Sequence, residues 1–298
     1  MNRQPASLEQ IDIVVVDDNR TMLNLMRTIC RSIGIHRIRV FQNVEEGMND
    51  IRVIHPDILI TDYEMEPITG LDLVHMIRSD SNPVLKRLPI LMVTAHSHRG
   101  LVLEARDTGV DDFIVKPVSP ERVEAGIRAM IERKARSAAS APPNGDNQGM
   151  LPGKDGGDTA QQAIKLERLR KAEQEIRALK EQYERDLLPA VTQLATLLSQ
   201  IEAGQLDPDR LPKAFRAAHD FKGQGASFGY PLLSEFAGSL ARLLRDKIQL
   251  TEVELKIARA HADALIIVAR NRIRGDGGQT GRALRQSFER MVAKIGGQ

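Results

Sequence analysis

The chain has no tryptophan, a single cysteine and only 3% aromatic residues among its 298. With so few aromatics, and with neither helix-turn-helix nor zinc-finger spacing, a DNA-reading output domain is not expected and nucleic acid is not an expected partner. Cys30, the lone cysteine, excludes an internal disulfide and suits a reducing compartment. No apolar run approaches the roughly 18 residues of a membrane span. Residues Met1 to Gln10 lack the apolar core of a signal peptide, so membrane insertion is not expected and the chain reads as cytoplasmic.

Net charge is also scarce: 42 Lys and Arg stand against 40 Asp and Glu. The balance is uneven along the chain, with residues 1–134 at −3 and residues 135–298 at +5. At this length two domains of about 100–200 residues each are expected. Between them, residues 138–158 are mostly Gly, Pro, Ala, Asn, Asp and Ser, a composition that cannot pack a core. As a random coil such a linker spans about 25 Å on average.

The first part alternates short β-branched runs with helical patterns. Strands are expected at Ile11–Val16, Ile38–Phe41, Ile58–Thr61, Ile90–Thr94 and Phe113–Val115. Helices are expected at about Arg20–Ile33, Val44–Ile51, Gly70–Arg78, Gly100–Thr108 and Pro120–Arg136. Nearly continuous apolar runs mark strands buried on both faces, hence a doubly wound parallel α/β sheet. The second part is all helical in pattern. A narrow seam of Leu166, Leu169, Ala172, Ile176, Leu179 and Tyr183 fits a leading helix that pairs in a coiled-coil homodimer or lies on the chain's own bundle. Pro189 is expected to kink or restart it. Further helices follow at about Ala190–Ala203, Asp209–Phe228, Pro231–Asp246, Thr251–Arg272 and Arg282–Ile295.

Chemistry in an open α/β sheet belongs at the carboxyl ends of the strands. Asp17 and Asp18 follow the first expected strand, Asp62 the third, Thr94 ends the fourth and Lys116 follows the fifth. Converging carboxylates repel one another and call for a hard cation such as Mg²⁺. A nucleophilic carboxylate, a metal, an ammonium and a hydroxyl are the equipment for in-line phosphoryl transfer to an aspartate. Glu64 and His96, two residues beyond Asp62 and Thr94, are placed to flank an attacking water. Lys116-Pro117 is expected to be a cis peptide.

Residues 8–134 resemble a response-regulator receiver domain. The motifs are Val16-Asp17-Asp18-Asn19, Asp62 with Met65, Gly70, Thr94-Ala95, and Gly109 through Asp112-Phe113 to Lys116-Pro117. The resemblance implies a flavodoxin-like five-stranded sheet of order 2-1-3-4-5 and a phosphoacceptor at Asp62. It implies a Mg²⁺ site at Asp17, Asp18 and Asp62, with Glu64 beside them, and phosphoryl contacts from Thr94 and Lys116. Proline at 67 comes one residue later than the family pattern, which changes the loop without removing a pocket group.

A second constellation stands at His219-Asp220-Phe221-Lys222-Gly223, with Phe228-Gly229 further on. On a helix, Lys222 and Gly223 share a face with His219, placing a cation and a gap beside the imidazole. Two mid-helix glycines, Gly223 and Gly225, each cost about 1 kcal/mol relative to alanine and point to close approach at the backbone. The spacing resembles histidine phosphotransfer (HPt) domains, and the resemblance covers about residues 187–298. It implies a helical bundle in which His219 carries a phosphoryl group and Lys222 assists.

The chain is thus divided into a receiver at 8–136, a linker at 137–159, a leading helix at 160–186 and an HPt-like bundle at 187–298. No ATP-binding kinase motif is found, so it is expected to be a phosphoryl carrier rather than a turnover enzyme. Its expected partners are a sensor histidine kinase and other receiver or HPt proteins of bacterial two-component phosphorelays. The alternative is a receiver-gated adaptor or dimerisation protein whose helical half binds a partner without being phosphorylated.

Overall fold

The computed structural model describes residues 8–94, 108–139, 158–204 and 207–296. The chain divides into two units, Met1–Arg177 and Ala178–Gln298. In the first, five strands β1 (Asp12–Val16), β2 (Arg37–Phe41), β3 (Ile58–Asp62), β4 (Ile90–Thr94) and β5 (Asp112–Val115) form one sheet of order β2-β1-β3-β4-β5. All four pairings are parallel, so every strand ends on the same edge. Strands β3 and β4 are buried along their whole length, as the unbroken apolar runs require.

Helices α1 (Arg20–Ser32), α2 (Val44–Ile54), α3 (Gly70–Ser79) and α4 (Pro120–Ala139) accompany the sheet in this unit. Three begin on side-chain caps. Asn19 and Asn43 accept from the first backbone N–H groups of α1 and α2, while Thr69 and Asp72 form a reciprocal box at α3. Val14, Val16, Met48, Ile51, Leu59, Leu73, Val74 and Ile77 fill the core between the sheet and α2 and α3. Burying each such aliphatic side chain contributes about 1.5–3 kcal/mol. The helix expected at Gly100–Thr108 and the residue His96 lie outside the described residues, apart from Thr108.

The second unit is all helical: the C-terminal part of α5 (Asp158–Glu202), then α6 (Arg210–Gly225), α7 (Pro231–Leu244), α8 (Glu252–Arg270) and α9 (Gly278–Gly296). Of the kink or restart expected at Pro189, the restart does not occur, because α5 runs through it without interruption. Proline deprives the carbonyl four residues earlier of its donor. Pro189 is exposed, so that carbonyl can turn to water. At Tyr183 the seam of α5 is spent within the chain: its ring stacks on Phe228 at 4.4 Å and lies 6.2 Å from Tyr230. Leu187, Val191, Leu194 and Leu198 continue the buried line.

Candidate functional site

In the first unit the carboxyl edge of the sheet gathers the acidic residues. The Asp17 N–H bonds to the Phe41 carbonyl at 3.1 Å, prolonging the β1–β2 pairing by one residue and fixing Asp17 at the strand end. Its Oδ1 accepts from the Asn19 N–H at 2.8 Å, and the Asn19 side chain in turn caps α1. One asparagine therefore ties the helix start to the acidic pocket, a role that its place in the Asp-Asp-Asn run did not disclose. Asp62 ends β3 and is 5% exposed. Lys116, 6% exposed, follows β5 and places Nζ 2.9 Å from Asp62 Oδ1. Its own N–H donates to the Thr94 carbonyl at 2.7 Å, which fixes the turn that returns its side chain to the pocket. The Lys116-Pro117 peptide is cis, and so is Glu66-Pro67.

The electrostatics follow from this crowding. Burial, and then the neighbouring charge of Asp62, pushes the Asp17 carboxyl well above the ordinary carboxylate range, against Lys116 and the Asn19 N–H. Burial works against the charged form of Lys116, but the Asp62 and Asp17 carboxylates outweigh it and hold the ammonium above its ordinary value. The structure thus brings Asp17, Asp62 and Lys116 together. Thr94 is buried at the end of β4, next to β3. The Asp18 carboxylate accepts from the Glu66 N–H at 3.1 Å and so anchors the loop after β3. Glu64 is half-buried on that loop and acts on Lys116 through its charge.

Gly70 has a steric reason to be glycine. A Cβ there would stand 2.0 Å from the Asp62 carbonyl oxygen, because α3 starts directly on the end of β3. Its N–H donates to the Tyr63 carbonyl at 3.0 Å, closing the loop that follows Asp62.

Two buried carboxylates side by side, with the charge of Asp62 raising the cost of ionising Asp17, are a donor set suited to a small hard cation. Among the described residues no group of three or more His, Cys, Asp and Glu side chains forms a complete metal cage. A cation at this edge would therefore complete its shell with water and phosphate oxygens, as Mg²⁺ commonly does.

In the second unit, His219 is half-buried on α6 with its ring 6.0 Å from that of Phe215, one turn earlier. Lys222, one turn later, is 7% exposed, and its stem lies against Gly238 of α7. The two expected access glycines separate into different roles. Among the described residues nothing stands within 4 Å of where a Cβ at Gly223 would project, so they leave this side of the helix open. At Gly225 a Cβ would meet Ser234 Oγ at 2.7 Å and the Tyr230 carbonyl oxygen at 2.9 Å, so that glycine serves helix packing. Ser234 Oγ accepts from the Ala226 N–H at 2.7 Å, satisfying a donor where α6 ends. Gly229, at φ +92°, turns the chain toward α7 in a backbone region that glycine tolerates best.

Comparison with known proteins agrees with both halves. Residues 13–128 match the response regulator receiver domain family, and residues 169–274 match the Hpt domain family. The chemotaxis protein CheY of Pseudomonas aeruginosa is 33% identical over 124 residues, covering 41% of this chain and 96% of that protein. CheY-3 of Vibrio cholerae is 30% identical over 128 residues, covering 42% and 95%, and CheY1 of Helicobacter pylori is 30% identical over 120 residues, covering 40% and 95%. The chain belongs to the response-regulator family. It joins its receiver domain to an Hpt domain, which makes it a two-component phosphorelay protein with two phosphotransfer modules.

Proposed function

We propose that Asp62 accepts a phosphoryl group from a kinase histidine and that His219 exchanges phosphoryl groups with a receiver aspartate in this or another chain. The observation that carries the first half is the buried contact of Lys116 Nζ with Asp62 Oδ1 at 2.9 Å, beside a second carboxylate at Asp17. An Asp62 carboxylate oxygen attacks phosphorus in line while the P–N bond to the donor imidazole breaks and nitrogen keeps the electron pair. Lys116 and Thr94 bind the phosphoryl oxygens as their charge redistributes. Asp17 and Asp62, with Asp18 and Glu64 beside them, are the residues that would hold Mg²⁺, and the cation would neutralise charge on those oxygens.

On α6, the neutral His219 imidazole attacks an aspartyl phosphate, the P–O bond to the carboxylate breaks, and Lys222 stabilises the phosphoryl group on nitrogen. The open side of the helix at Gly223 supports docking of a receiver there. The same reading divides the chain into a receiver at 8–136, a linker at 137–159 and a leading helix at 160–186 followed by a phosphotransfer bundle to 298. Its partners are a sensor histidine kinase and further receiver or HPt proteins.

The test is labelling of the full chain with acetyl phosphate. Asp62 is expected to take label only with Mg²⁺, and Asp62→Asn is expected to abolish it. Equal labelling in chelator, or in that variant, would sink the assignment.

A further inference from the structure

The Hpt unit contains a glycine that no turn explains. Gly238 lies inside α7, is buried, and is not among the glycines of positive φ. An interior helical glycine is less favourable than alanine, and here its missing side chain leaves a shallow gap on the surface of α7. What crosses it is the stem of Lys222: a Cβ at 238 would stand 3.4 Å from both Cγ and Cδ of that lysine and 3.6 Å from its Cε. One turn earlier on the same face of α7, Ser234 enters the notch left by Gly225 on α6. The two helices therefore exchange notches, Gly225 receiving a side chain from α7 and Gly238 receiving one from α6.

We propose that Gly238 is the positioning residue for Lys222, an inference that rests on the reading of His219 as a phosphoryl carrier. Without a side chain at 238, the lysine stem lies flat on α7 and the ammonium is delivered one turn from His219 instead of swinging into solvent. Lysine carries more rotamer entropy than most side chains, and an unguided stem would lose most of it only on meeting the phosphoryl group. A stem already laid in a groove has lost it beforehand. The groove is one methyl group deep, since an alanine Cβ would touch the stem at ordinary contact distance while any longer side chain would occupy the line of the stem itself.

The experiment uses the full chain in an Asp62→Asn background, with phosphoramidate as donor, and follows phosphohistidine by ³¹P NMR. Gly238→Ala is expected to react within about twofold of the parent, and Gly238→Leu to be slowed as much as Lys222→Ala, on the order of tenfold or more for a lost charge-assisted contact. The double variant is expected to be no slower than Lys222→Ala alone, because both changes remove one interaction. Gly238→Leu at the parent rate, or an effect that multiplies with Lys222→Ala, would overturn the proposal. Placement is read separately, in the unphosphorylated chain, from an NOE between the Lys222 methylenes and the Gly238 Hα protons. Its absence overturns the proposal even if every variant misfolds. A parent chain that shows the NOE but takes no phosphoryl group would instead overturn the reading of His219.

Discussion

Gly70 and His261 show what single residues contribute. Because a Cβ at 70 would collide with the Asp62 backbone rather than with a movable side chain, Gly70→Ala has to shift either α3 or the end of β3. Overpacking of this kind costs about 1–3 kcal/mol. The urea unfolding midpoint of the receiver is expected to fall by that amount, and acetyl phosphate uptake at Asp62 to slow with it. His261 of α8 is buried with Nδ1 2.8 Å from the Ile257 carbonyl and Nε2 without a hydrogen-bond partner. Phe288 of α9 stands edge-on at 4.6 Å, and Phe288 in turn meets Phe236 of α7 at 5.0 Å. Burial depresses the imidazole pKa, Arg242 adds to the depression, and the bond to Ile257 opposes both. The folded state therefore resists a proton that the unfolded state accepts near pH 6.5, so stability is full above that value and is lost as pH falls through it toward the folded pKa. Amide protection factors in α7 and α8, corrected for the intrinsic exchange rate at each pH, are expected to fall below pH 6.5 in the parent chain and to lose that pH dependence in His261→Leu. An identical pH slope in both chains would remove His261 from the account.

The elements were largely legible in the sequence, and the exceptions have physical causes. Strands β1, β3 and β4 were readable because burial on both faces of a parallel sheet demands unbroken apolar runs, while the edge strands β2 and β5, only partly buried, were readable from their β-branched and aromatic residues. Pro189 does not restart the helix, since the buried line of Leu187, Val191 and Leu194 carries it onward through a residue that locally argues for a new start. Replacing that proline should relieve a standing cost, and Pro189→Ala is expected to stabilise the Hpt unit by about 1–3 kcal/mol in thermal unfolding. Unchanged or lowered stability would mean that the proline is accommodated without strain. Tyr183 makes the opposite point: its hydroxyl is buried with no hydrogen-bond partner, and burial pushes its pKa far up. Tyr183→Phe keeps the ring stacked on Phe228, removes an unsatisfied polar group and is expected to be neutral or stabilising in the same unfolding experiment. The pocket residues Asp17, Asp62, Thr94 and Lys116 could be read from their places at strand ends. The Gly238 notch could not, because it depends on which turn of α7 faces Lys222, a register that only tertiary packing sets.

At the scale of the whole molecule, the account rests on two phosphoryl sites of different chemistry in one chain. By this proposal Asp62 would form an acyl phosphate, which alkali cleaves, and His219 a phosphoramidate that is labile to acid and stable to alkali. The most direct measurement supplies the full-length chain with ³²P-labelled phosphoramidate and Mg²⁺ and partitions the bound label between these two classes. The account predicts both kinds of label in the parent chain, loss of only the alkali-labile fraction in Asp62→Asn, and loss of the acid-labile, alkali-stable fraction in His219→Gln. Acid-labile, alkali-stable label that persists in His219→Gln, or that never forms in the parent chain, would contradict the central claim and leave the helical half as a binding adaptor.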